Sequence, residues 1–198
     1  DPFALRRAAI GILRIIIENK LSIKLRDLIS YAIKLYEDQG VEIKNDKTEF
    51  EVLEFLKERM RNILKLKNIK VDIIEASISS HSGDNFLDLY KKNILMNKYI
   101  KKDVGINAIS SYKRASNITE KVEKSIMGRP DAVLFRTEEE KILFEKINEI
   151  RKAFTTKEDN KDYENLLIKL SETKQSTDNF FDNVVVNDEN QDIKNNRL

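Results

Sequence analysis

The chain has 198 residues, with 36 Lys and Arg against 34 Asp and Glu, one His and no Cys. That length suits one domain or two small ones, and 40% hydrophobic residues can supply a core. The missing Cys exclude a disulfide framework, a thiolate zinc site, an iron–sulfur cluster and a cysteine nucleophile, while the lone His81 excludes a multi-histidine metal site.

Only five Gly and two Pro punctuate the chain, which favours long helices over turn-rich sandwiches and barrels. Asp1-Pro2 has the form of an N-cap followed by Pro at the first helical position. From there Phe3, Ile10, Leu13 and Ile17 recur at helical spacing, and Phe3 is expected in the core. Arg14 interrupts the apolar run Ile10 to Ile17, so no membrane span is indicated. Asp1 in place of Met leads us to expect a piece of a longer chain. Leu25, Leu28, Ala32 and Leu35 make a second stripe, ended by Gly40.

Thr48 with Glu51 has the form of a capping box, opening a helix with Val52, Leu53, Leu56, Met60, Ile63 and Leu64 on one side. A short helix follows over 72–79. His81-Ser82-Gly83-Asp84 breaks it, with Asp84 expected to cap the next helix through Phe86, Leu87, Tyr90, Ile94 and Leu95. Another helix runs from Gly105 to Ser125, then a turn at 127–131. Thr137 and Glu140 repeat the capping-box pattern ahead of Ile142, Leu143, Ile147, Ile150 and Phe154. A polar connection at 155–161 precedes a helix through Tyr163, Leu166, Leu167 and Leu170. The polar stretch 172–178 then leads into Phe180-Phe181 and a Val184-Val185-Val186 run, read as a helix with an extended end. Residues 188–198 close as a helix. The expectation is an all-α fold: one multi-helix bundle over 1–198, of eight to ten helices with short loops.

The net charge of +2 hides an uneven pattern: +3 over residues 1–30, +7 over 91–129 and −7 over 131–192. Either the basic and acidic stretches neutralise one another inside the molecule, or the basic one faces a polyanion. Within it, Ala108, Tyr112, Ala115, Thr119, Val122 and Ile126 share a mostly apolar face that is expected to pack. The opposite side carries Ser110, Arg114, Asn117, Lys121 and Lys124, with Lys113 on its flank. Lys and Arg neutralise phosphates, Arg stacks on or forks to a base, and Asn pairs with a base edge, so this side suits RNA. A plain solvated helix face fits the same pattern.

These residues carry a resemblance. Asp1-Pro2-Phe3-Ala4-Leu5-Arg6-Arg7 resembles the DPFxLRR opening of the C-terminal region of the bacterial glycyl-tRNA synthetase beta subunit family. Tyr112-Lys113-Arg114-Ala115-Ser116-Asn117-Ile118 is similar to its YKRxxNI segment. Asp131-Ala132-Val133-Leu134-Phe135, the Phe180-Phe181-Asp182 run and Asn196-Arg197-Leu198 resemble three further segments, in family order. Ala132 stands where the family has Pro, and a valine stands for a methionine in the valine run.

The resemblance implies a DALR-type anticodon-binding domain within a glycine–tRNA ligase. Its implied partners are tRNA(Gly) and the alpha subunit, in an alpha2beta2 heterotetramer without a membrane component. In that family the alpha subunit holds the catalytic centre and uses ATP and Mg, so this fragment is expected to be non-catalytic, with no metal or cofactor of its own, in the cytoplasm. The expected RNA-binding residues are Lys113, Arg114, Asn117, Lys121, Arg6 and Arg7. Each has a plainer reading: Arg6 and Arg7 pairing with carboxylates, Asn117 satisfying a backbone group. Asp182 is expected to anchor a nearby basic side chain, and at least one of Phe180 and Phe181 to be core. Glu138, Glu139 and Glu140 are read as charges favoured at a helix N-terminus. The alternative function is a helical protein-interaction scaffold that holds synthetase subunits together. An independent hydrolase finds no local acid/base or nucleophile constellation.

Overall fold

The computed structural model describes residues 2–80, 84–120, 122, 128–154 and 162–198. The proposed cap at Asp1, the His81 turn, Lys121, Lys124 and the 155–161 connection lie outside the described residues. Among those described, ten α-helices and one 3-10 turn account for the regular structure, and the only β pairing is an isolated antiparallel bridge between Lys24 and Asn85. The all-α class follows. Contacts divide the chain into two compact units, 1–97 and 98–198, where the sequence leads us to expect one bundle. The division falls inside a helix, so no linker composition marks it.

In the first unit, α1 (Pro2–Glu18) and α2 (Leu25–Asp38) both pack on α3 (Thr48–Leu66), which also meets α4 (Val71–Ser80). Leu53, Leu56, Met60 and Leu64 put a continuous buried stripe on α3, opposite Ala9, Leu13 and Ile16 of α1. Phe3 is not core: it is 63% exposed, because the packing stripe of α1 runs through Ala9, Leu13 and Ile16, and Phe3 points off that line. Gly40 does end α2. Its φ of 78° is left-handed, and its N–H donates to the Glu37 carbonyl at 2.9 Å.

Two caps differ from expectation. Thr48 lies just inside α3, where its hydroxyl donates to the Asn45 carbonyl, and Glu51 accepts from the Asn45 amide rather than closing a box. Asp84 does not cap the helix that follows it. Its carboxylate accepts from the Arg26 N–H at 2.7 Å, and its carbonyl from the Leu25 N–H, so it caps α2 from 58 residues away. Asn85 takes the expected role, accepting from the Asp88 N–H at the start of α5 (Phe86–Tyr99).

In the second unit, α6 (Asp103–Thr119) packs on α8 (Tyr163–Ser171) and α9 (Thr173–Asn183), and α7 (Glu138–Phe154) packs on the same two. The core here is small and partly hydroxylic: Ser111, Ser171, Thr173 and Thr177 are buried beside Ile150, Leu166, Leu167 and Phe180. Ser111, Ser171 and Thr173 donate to carbonyls one turn back in their own chain segment, which hides the hydroxyls and keeps the helices close. The polar stretch 172–178 is, from Thr173 on, the first half of α9. Val184 is extended, as expected, and α10 (Gln191–Arg197) closes the unit behind an Asn190 cap.

The Thr137–Glu140 capping box forms as expected. Glu140 accepts from the Thr137 N–H at 2.7 Å, and the Thr137 hydroxyl accepts from the Glu140 N–H at 3.4 Å. Glu140 does more than favour the helix terminus. Its other oxygen accepts from Arg197 at 2.7 Å, and both side chains are almost fully buried. Arg197 also donates to Asp188 and to the Val185 carbonyl, so it binds three segments together.

Candidate nucleic-acid interface

α6 is the helix on which sequence spacing concentrates cations and an amide. Its first turn sits tight: a Cβ on Gly105 would meet the Tyr99 carbonyl and the Ile100 backbone. From there the packed side of α6 runs through Ser111 toward Ile118, which lines a cleft shared with α9. This lies further round the helix than the sequence pattern suggests. Tyr112, expected to pack, is 71% exposed, and Ala115 is exposed as well.

Lys113 and Asn117 are exposed and lie one turn apart. Together they offer a mobile ammonium for a phosphate and an amide with two donors and one acceptor for a base edge. Arg114 is half-buried at the junction with α9. Its guanidinium donates to Asp178 at 3.0 Å and to Asp182, and lies 5.4 Å from the centroid of the Phe181 ring. Those two carboxylates, Asp182 first, hold the guanidinium more firmly protonated than usual. Asp178 is in turn held below the ordinary aspartate range, first by Lys174 and then by Arg114 against the opposing effect of burial. The role expected of Asp182 is therefore filled, with Arg114 as the side chain it anchors. Lys174 and Asp178 complete this cluster and are hidden in the sequence, because hydroxylic Thr173 and Thr177 mask the helix on which Asp178 and Asp182 stand four residues apart.

The basic stretch is thus partly neutralised within the second unit. Lys98 donates to Glu164 at 3.1 Å, and the Tyr99 hydroxyl donates to the same carboxylate. Tyr99 first and Lys98 second hold Glu164 below its ordinary range. Arg6 and Arg7 belong to the first unit, where both are exposed on α1, with the Arg6 guanidinium 5.5 Å from the Phe3 ring centroid. Lys113, Arg114 and Asn117 therefore share one helix, while Arg6 and Arg7 stand on another.

Among the described residues no cluster of three or more His, Asp or Glu could hold a metal ion, and no helix is long and apolar enough to cross a membrane. The α6 edge offers a cation, an amide and nearby aromatic groups, a set chemically suited to binding RNA.

Residues 1–79 match the family described as Glycyl-tRNA synthetase beta subunit, and residues 108–198 match the DALR anticodon binding domain. Over 198 residues the chain is 40% identical to the Glycine--tRNA ligase beta subunit of Rickettsia canadensis, 39% to that of Rickettsia africae and 38% to that of Rickettsia conorii. Each alignment covers 100% of this chain and 28% of the relative, so the chain spans 28% of the length of these curated relatives.

Proposed function

The chain belongs to the glycyl-tRNA synthetase beta-subunit family and carries a DALR anticodon binding domain, and from this premise we propose that it grips the anticodon arm of tRNA(Gly). It is part of a glycine–tRNA ligase beta subunit. In the proposed role it supports glycine attachment catalysed on the alpha subunit, where ATP and Mg are used, in a cytoplasmic alpha2beta2 enzyme. It contributes orientation rather than chemistry: phosphate contacts fix the arm, and base contacts in the loop discriminate.

The observation that carries this reading is the exposed Lys113–Asn117 edge of α6, inside the segment that matches the DALR domain. In it Lys113 neutralises a phosphate and Asn117 meets a base edge. Arg114, tied to Asp178 and Asp182, fixes the tilt of α6 against α9 and contributes its charge from there. Lys121, Arg6 and Arg7 are proposed as further RNA contacts on the strength of their charge. The test is a filter-binding titration of tRNA(Gly) against salt. Lys113→Ala is expected to weaken binding and reduce the salt slope by about one. An unchanged slope would reject this edge as a phosphate contact.

The scaffold alternative has its own support in the first unit. Leu5, Ile12, Leu28 and Val52, all exposed, line an apolar groove between α1, α2 and α3. Such a groove fits a protein surface better than an RNA. Retention of the alpha subunit by the protein with no protection of tRNA would favour the scaffold over the RNA-binding reading.

A further inference from the structure

A cleft opens between α6 and α7, with α9 as its floor. It encloses about 260 Å³, and Ala115 and Ile118 face Phe144 and Ile147 across it. That volume is below the ~300–1,000 Å³ of ordinary small-molecule pockets. It is also less than the volume of one turn of a peptide helix ~10–12 Å across, whereas a single planar ring fits. The walls are aromatic. Phe135 and Phe144 meet edge to face at 5.2 Å between centroids, and Phe180 and Phe181 do so at 5.1 Å on the floor.

The polar lining is equally specific. Asn148 and Arg151, one turn apart on α7, bring an amide and a guanidinium to the cleft. Among the described residues of the lining the one acidic side chain, Glu140, is paired with Arg197. A polyanion therefore meets no uncompensated carboxylate there, and Arg151 leaves the lining cationic. Exposed Tyr112 lies on α6 one turn before Ala115, so a second aromatic face is available beside the cleft.

We propose that this cleft receives one unstacked base of an RNA loop, its ring among the phenylalanines and its edge met by Asn148 and Arg151. The proposal rests on the RNA-binding reading above and deepens it. It adds a base contact on the α7 side of α6 to the phosphate and base-edge contacts proposed for Lys113 and Asn117. Aromatic rings accept any base face, so stacking supplies affinity. The amide carries both donors and an acceptor, so selectivity among bases falls to Asn148 and Arg151. An apolar side chain of a protein partner is the competing occupant; it would use the rings and leave the amide and guanidinium unused.

The experiment is an abasic scan. Anticodon stem-loops with one loop base removed at a time are titrated against the intact subunit. The same scan is run on Asn148→Ala combined with Arg151→Ala, whose helical content is checked by circular dichroism. The expected result is one loop position where base removal costs the wild type roughly tenfold in affinity, as loss of a stacked and hydrogen-bonded base should, while the double variant is nearly insensitive there. A Phe144→Leu variant should lose affinity for the intact loop and show the same insensitivity. Equal responses of wild type and variants at every position would overturn the cleft assignment and leave the RNA-binding reading standing. No saturable binding of the intact stem-loop by the wild type would end both. Unchanged RNA binding with loss of the alpha subunit from the variants would assign the cleft to a protein partner instead.

Discussion

Asp178 and Asp182 stand four residues apart on α9, and both accept from the guanidinium of Arg114. Asp182→Asn should therefore loosen Arg114 before it touches RNA binding; tRNA affinity measured beside thermal stability separates the two effects. Lys113→Ala should do the opposite, leaving stability unchanged and weakening binding in a salt-dependent way. Glu140 gives a sharper stability test. Burial pushes its carboxyl up, but the hydrogen bond from Arg197 and the N–H groups of Arg136 and Thr137 together outweigh burial and hold it below its ordinary 4.5. The ionised form is the one stabilised by folding, so its contribution is complete above that ordinary value and lost as pH falls below it through the folded value. Glu140→Ala should leave buried Arg197 with Asp188 as its remaining carboxylate and orphan the Thr137 N–H, costing about 1–3 kcal/mol in urea denaturation. It should also flatten the acid limb of the stability profile. Arg197 was legible in the sequence only as a motif residue. Its partner lies 57 positions away, and no local spacing reveals such a pair.

Helix ends show which parts of the fold the chain writes locally. Among the described residues the pattern Thr-x-x-Glu occurs at Thr48 and at Thr137, and of these two the second closes a capping box. At Thr48 the neighbouring Asn45 takes both partners, so Thr48→Ala should cost less than Thr137→Ala, for which about 1 kcal/mol is expected. Chemical denaturation of the two variants side by side gives the comparison. α1 ends with Lys20 at a φ of 54°, a left-handed position where Gly is ordinarily favoured, and Leu21 donates back to the Ile16 carbonyl across it. Lys20→Gly should therefore raise stability by about 1 kcal/mol, read as a higher urea midpoint. Apolar periodicity revealed α3 because its buried positions are Leu and Met. It hid the start of α9, where two of the buried positions, Thr173 and Thr177, are hydroxylic and read as loop. On α6 the same periodicity misplaced Tyr112, because Gly105 and Ser111 pack by being small rather than apolar. The cationic edge was legible as a set of residues. The carboxylates that hold Arg114 were not, since they come from a segment whose helicity was itself unread.

At the scale of the whole molecule, the +7 and −7 stretches do not simply face apart. Lys98 pairs with Glu164 and Arg114 with Asp178 and Asp182, so internal neutralisation is one part of the pattern, and exposed Lys113 belongs to what remains for a polyanion. Binding carried by that remainder should fall steeply with salt, whereas subunit association through the apolar groove of the first unit should be nearly indifferent to it. Nuclease protection of tRNA(Gly) bound to the intact subunit separates these surfaces most directly. The RNA-binding account predicts protection across the anticodon loop, weakened when the anticodon is altered and when Lys113 and Asn117 are both replaced by Ala. Protection confined to other parts of the tRNA, or an anticodon footprint indifferent to both changes, would contradict it.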